Sequence, residues 1–195
     1  MDRKRALNYI DYIFDEEDMI VYIGEVVCSE VTNKDREFVL FFDDKLDYFS
    51  LVLGIAMTTN KRIVIVCEDY SILKYFKSVI HIAISQCTNI IILVLKTGEY
   101  TLTGGQPTTF DSIRSPKGVF FNIGFLTHDY TNHFKNKSTL NNVITTLNRI
   151  KVPVLGIINI DNKRLFEDEL PQQDFLDKVL KLREYNATHI STEHS

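Results

Sequence analysis

Two stretches of the chain are apolar at nearly every position: Arg62-Ile-Val-Ile-Val-Cys67 and Asn89-Ile-Ile-Ile-Leu-Val-Leu95. Runs this short, rich in β-branched and aliphatic residues and without polar alternation, predict strands buried on both faces, as in a parallel sheet covered by helices. Between them Leu73, Phe76, Val79, Ile80, Ala83 and Ile84 recur at helical spacing, which predicts a helix from about Ser71 to Ser85. His81 falls beside that stripe and reads as a partly buried structural residue.

Upstream, Asp2 is placed to cap a helix whose apolar positions Ala6, Leu7, Ile10, Ile13 and Phe14 form one stripe, ended by the acidic cluster Asp15 to Asp18. Met19 to Ile23 and Glu37 to Phe42 read as short strands, with a turn at Gly24 and a short helix from Glu25 to Glu30 between them. Leu51, Val52, Ile55 and Ala56 predict a helix from about Asp47 to Thr59, in which Gly54 is expected to mark close packing. Downstream, Val119 to Phe125 fits strand or helix, Ser138 starts a helix reaching Lys151, and Pro153 to Ile160 is a strand. Pro171 precedes an amphipathic helix from Asp174 to Glu184.

This alternation predicts an α/β fold: a three-layer open sheet, mainly parallel, in one domain over residues 1–185, with a polar, disordered tail over 186–195. A chain of 195 residues, 45% of them apolar, can bury one sizeable core. Its net charge of −4 with mixed signs leaves no basic footprint, so neither nucleic acid nor an anionic membrane is expected as a partner. Cys28, Cys67 and Cys87 show no paired spacing, and reduced thiols in a cytoplasmic protein are the expectation. No apolar run is long enough to span a bilayer.

Nucleotide loops, zinc-protease helices and nucleophile elbows are missing from the sequence. Asp43-Asp44 with Asp47, and His128-Asp129 with His133, have metal-compatible spacing but read as solvated loop charge. The distinctive polar residues follow the two apolar strands. In open α/β sheets the ligand crevice lies beyond the carboxyl ends of the strands. The acidic turn Glu68-Asp69 and the loop from Thr97 to Gln106, which closes in Tyr100-Thr-Leu-Thr-Gly-Gly-Gln106, should both open there.

That spacing resembles the diphosphate-binding half of thiamine-diphosphate enzymes, most closely the small subunit of sulfopyruvate decarboxylase and the second half of phosphonopyruvate decarboxylase. In that family a strand ends in Gly-Asp-Gly, and one helix and strand later an Asn opens a loop running through Tyr to Thr-Gly-Gly-Gln. Here Asp69 and Tyr100…Thr103-Gly104-Gly105-Gln106 match, whereas Glu68 and Tyr70 replace the glycines and Thr97 the Asn. The resemblance implies thiamine diphosphate and Mg2+ as cofactors. It places cofactor contacts at Glu68, Asp69, Thr97, Gly98, Tyr100, Gly104, Gly105 and Gln106, and metal ligands at Asp69, Thr97 and the Glu99 carbonyl.

The departures carry their own expectation. Glu68 and Tyr70 would obstruct the approach of phosphate to backbone. Counting back from Gly54 sets Asp43-Asp44-Lys45-Leu46 where the family has a phosphate-cradling Gly-Ser-Met-Gly loop. Two like charges 4 Å apart repel by roughly 4 kcal/mol at an effective dielectric of 20, so cofactor binding should be weak or absent. The sequence therefore supports two readings: a cofactor-free member of the fold acting as a partner or structural subunit, or the diphosphate-binding subunit of a two-chain 2-oxoacid decarboxylase. Either implies a pyrimidine-binding-type partner subunit or self-association.

Overall fold

In the computed structural model the described residues are 2–14, 17–24, 27, 37–40, 46–85, 87–100, 106–110, 112–131 and 152–161, with only the backbone described at 37–40. Residues 1–162 form one compact unit; a second, 163–195, lies outside the described residues.

Helix α1 (Arg3–Ile13) starts where expected, with the Asp2 carboxylate accepting the Arg5 N–H at 2.8 Å, and buries Ala6, Leu7, Ile10 and Ile13. Strands β1 (Met19–Ile23) and β2 (Glu37–Leu40) follow, then helix α2 (Tyr48–Ala56), strand β3 (Ile63–Glu68), helices α3 (Asp69–Lys74) and α4 (Phe76–Ile84), and strand β4 (Ile90–Lys96). A two-stranded ribbon, β5 (Glu99–Tyr100) with β6 (Gln106–Pro107), precedes helix α5 (Pro116–Asn122) and strands β7 (Leu126–Asp129) and β8 (Val154–Asn159).

The main sheet has six strands in the order β2-β1-β3-β4-β8-β7, and every pairing in it is parallel. The two apolar runs are central neighbours, in register from Ile63 opposite Ile90 to Glu68 opposite Leu95. Alternating side chains feed two cores. Tyr22, Val64, Val66, Leu93 and Leu95 pack with the stripe of α1, while Ile23, Ile65, Cys67, Ile92 and Val94 pack with Phe49 of α2, Val79 of α4 and Phe120 of α5. The layers are therefore helix, sheet, helix, as the sequence predicts. The strand order reverses between β1 and β3 and again between β4 and β8, and such reversals open crevices at the carboxyl ends. At the opposite end, the Asn89 amide donates to the carbonyls of Ala56, Thr59 and Lys61, tying the start of β4 to the α2–β3 connection.

Several expectations need correction. The single helix from 71 to 85 is two, broken at Tyr75 (φ −104°, ψ 29°), and the break turns the buried face so that Ile72 and Ile82 are inward while Ile84 is 68% exposed. His81 is exposed, and Leu51 is half exposed. Among the described residues, nothing lies within 4 Å of where a Cβ on Gly54 would sit, and none of them makes the close approach expected there. The ambiguous segment 119–125 is helical to Asn122, and β7 was not foreseen. The helices expected at 138–151 and 174–184, the tail, Cys28 and most of the helix expected at 25–30 lie outside the described residues. Cys67 is a buried free thiol and Cys87 a partly exposed one.

Candidate functional site at the carboxyl ends of β3 and β4

Glu68 and Asp69 are not a solvated turn. Glu68 is the last residue of β3 and Asp69 the first of α3, so strand passes directly into helix; their exposures are 1% and 0%. Carboxylates withdrawn from water need compensating partners. Glu68 has Arg3, whose Nη2 lies 2.8 Å from Oε1 with both side chains buried. Asp69 has three hydrogen-bond donors: the Thr97 hydroxyl to Oδ1 at 3.0 Å, and the Gly98 N–H and Thr108 hydroxyl to Oδ2 at 3.1 and 2.8 Å. Asp69 also sits in the first turn of its helix, where the backbone dipole favours an acid.

The Thr97 hydroxyl also lies 3.1 Å from the Glu99 carbonyl oxygen, so of the three oxygens implied as metal ligands it neighbours both others. Gly98 has φ +74°, a left-handed conformation that glycine adopts without strain and that accompanies its N–H bond to the carboxylate. The returning chain is tied back by the Thr108 N–H, which donates to the Gly98 carbonyl at 2.9 Å, and the ribbon pairs Glu99 with Pro107 and Tyr100 with Gln106. The Tyr100 ring stands 5.6 Å from that of Tyr70, the residue in place of the family's second glycine.

The structure thus brings together Glu68, Asp69, Thr97, Gly98 and Glu99, with Tyr100 and Gln106 on the adjoining ribbon. Gly104, Gly105, Asp43 and Asp44 lie outside the described residues. Sequence reasoning missed Arg3 and Thr108. Arg3 had a signal, because it falls on the stripe of Ala6, Leu7 and Ile10 and so had to be buried; Thr108 had none. Nearby, the Ser71 hydroxyl is fully buried with no hydrogen-bond partner among the described residues, close to Gly24 at the end of β1 (φ +122°).

Cys67 abuts the site but contributes no thiolate: burial, then the Asp69 and Glu68 charges, push its thiol well above the ordinary range. Of the other candidate clusters, Asp43, Asp44 and His133 lie outside the described residues, and Asp47 and Asp129 make local structural bonds. Asp47 caps α2 through the Phe49 and Ser50 N–H groups and accepts the Ser78 hydroxyl. Asp129, at the end of β7, accepts the Thr131 N–H at 3.0 Å; partial burial would raise its carboxyl, but the bonds from Thr131 and the charges of Lys117 and His128 hold it below the usual range. No group of three His, Cys, Asp or Glu among the described residues is arranged to hold a metal.

Magnesium requires near-octahedral oxygen ligands and keeps several positions for water or phosphate. At Asp69 both oxygens are already engaged by protein donors and no carboxylate surface is exposed. Beside it, the Glu68 side chain and its Arg3 partner occupy volume that a glycine would leave open. The residues, as arranged, do not fit a cation bridging to a diphosphate.

No family model and no curated protein matches the sequence. Solved structures do match in fold. One is a Mycobacterium smegmatis protein described as a candidate thiamin diphosphate-dependent enzyme: TM-score 0.63 and 13% identity over 83% of this chain and 32% of that one. The fold is shared with thiamine-diphosphate-dependent enzymes. Another is the 2-oxoglutarate:ferredoxin oxidoreductase of Magnetococcus marinus, with TM-score 0.61 and 11% identity over 80% of this chain and 60% of that one. The chain thus spans about a third and three fifths of the two proteins it resembles. No helix among the described residues is long and apolar enough to cross a membrane.

Proposed function

We propose that this chain is a cofactor-free member of the thiamine-diphosphate-binding fold that acts in the cytoplasm as a partner or structural subunit. The observation that carries the reading is the internal saturation of Asp69 by Thr97, Gly98 and Thr108. The Arg3–Glu68 pair supports it, since it fills the neighbouring position with a buried side chain. A pyrimidine-binding-type subunit or a second copy of the chain is the partner that this reading implies.

A second reading, the diphosphate-binding subunit of a two-chain 2-oxoacid decarboxylase, rests on one observation. The Thr97 hydroxyl still lies 3.0 Å from the Asp69 carboxylate and 3.1 Å from the Glu99 carbonyl oxygen. Calorimetric titration of thiamine diphosphate, with and without magnesium, separates the two. Ligand at 100 times its dissociation constant adds about 2.7 kcal/mol of stability, so a parallel thermal melt reads the same event. No heat and no shift are expected; saturable binding that disappears in Asp69→Ala would put the decarboxylase-type subunit first.

A further inference from the structure

We propose that Asp69 works as an internal clasp, holding both stems of the 98–108 loop closed without any cation. The proposal rests on the cofactor-free reading and gives that reading a structural role for the one family-matching acid. The two stems converge on a single carboxylate. Gly98 on the outgoing stem donates its N–H to Oδ2, and Thr108 on the returning stem donates its hydroxyl to the same oxygen. Thr97, one residue earlier, binds Oδ1, and the Thr108 N–H closes onto the Gly98 carbonyl.

Closing a loop costs chain entropy, and a two-residue ribbon such as Glu99–Tyr100 with Gln106–Pro107 is too short to hold itself shut in water. The stems therefore need an anchor in the rigid core, and Asp69 supplies it from the junction of β3 and α3. A hydrogen bond from a neutral donor to a buried carboxylate is stronger than one between neutral groups. The donors also replace what a cation would otherwise do at this carboxylate, which makes closure a property of the chain alone.

Hydrogen exchange at the stem amides, followed residue by residue, tests this. In Asp69→Asn, which keeps the side-chain shape but removes the charge and leaves one acceptor oxygen where three donors shared two, exchange at Gly98 and Thr108 should rise by about tenfold or more, as expected for opening of a local unit. Amides of β3 and β4 between Ile63 and Leu95 should stay protected enough to report a folded sheet, losing no more than the change in global stability. Thr108→Val, which removes one donor and keeps the volume, should give the same pattern more weakly, so a failure of Asp69→Asn to fold would leave the test intact. Stem exchange unchanged in the variants that fold would overturn the clasp while leaving the cofactor-free reading untouched. Wild-type stems that gain protection only on adding magnesium, or magnesium with thiamine diphosphate, would overturn both.

Discussion

Arg3 Nη2 lies 2.8 Å from Glu68 Oε1, joining the first turn of α1 to the last residue of β3 through a pair shut off from solvent. Removing one member leaves the other charge buried. Arg3→Met should therefore lower stability by about 3–5 kcal/mol, whereas Arg3→Met with Glu68→Met should recover most of the loss, because both desolvation costs vanish together. Urea denaturation of the two single variants and the double variant reads the coupling.

Asp69→Ala should destabilise the domain by about 2–4 kcal/mol, since it strands the Gly98 and Thr108 donors and leaves Thr97 only the Glu99 carbonyl. Equilibrium unfolding gives the value. A loss within experimental error would mean that these donors find water, contrary to the burial of Asp69.

Gly156 of β8 lies beneath the Tyr130 ring. A Cβ there would stand 2.5 Å from Tyr130 Cδ2 and 2.9 Å from Leu93 Cδ2. Gly156→Ala should cost about 1–3 kcal/mol through overpacking. Adding Tyr130→Leu should return part of that, which a thermal melt of the double variant would show.

Burial also pushes the Tyr130 phenol up to about 12. Because the folded value is raised, the contribution to stability is complete below the ordinary tyrosine range and is lost as pH climbs through the folded value. Unfolding free energy should therefore fall at alkaline pH in the wild type, and less steeply in Tyr130→Phe. Denaturant melts at a series of alkaline pH values provide the comparison.

The central strands were legible because a strand buried on both faces shows itself as an unbroken apolar run, and Ile63–Glu68 and Ile90–Lys96 are buried almost throughout. Edge strand β7 was not, since Leu126-Thr-His-Asp is exposed at alternate positions, only partly buried at the others, and offers only four residues. The break at Tyr75 carries no proline or glycine to announce it. The sequence places Glu68 and Asp69 in an acidic turn open to the crevice, whereas the structure buries both. Their compensation comes from Arg3 and Thr108, groups distant in sequence, and only the helical phase of Arg3 hinted at it.

The position of β8 bears on how the chain is made. β8 is the last of the six strands in sequence, yet it lies inside the sheet, between β4 and β7. Until Val154–Asn159 has left the ribosome, β4 lacks this neighbour, and its Ile-Ile-Ile-Leu-Val-Leu row presents unpaired backbone on an apolar edge whose one charge is the terminal Lys96. Such an edge is a template for pairing with other chains. A nascent or truncated chain ending before 154 is therefore the aggregation-prone species, and synthesis of β8 is the step that removes the hazard.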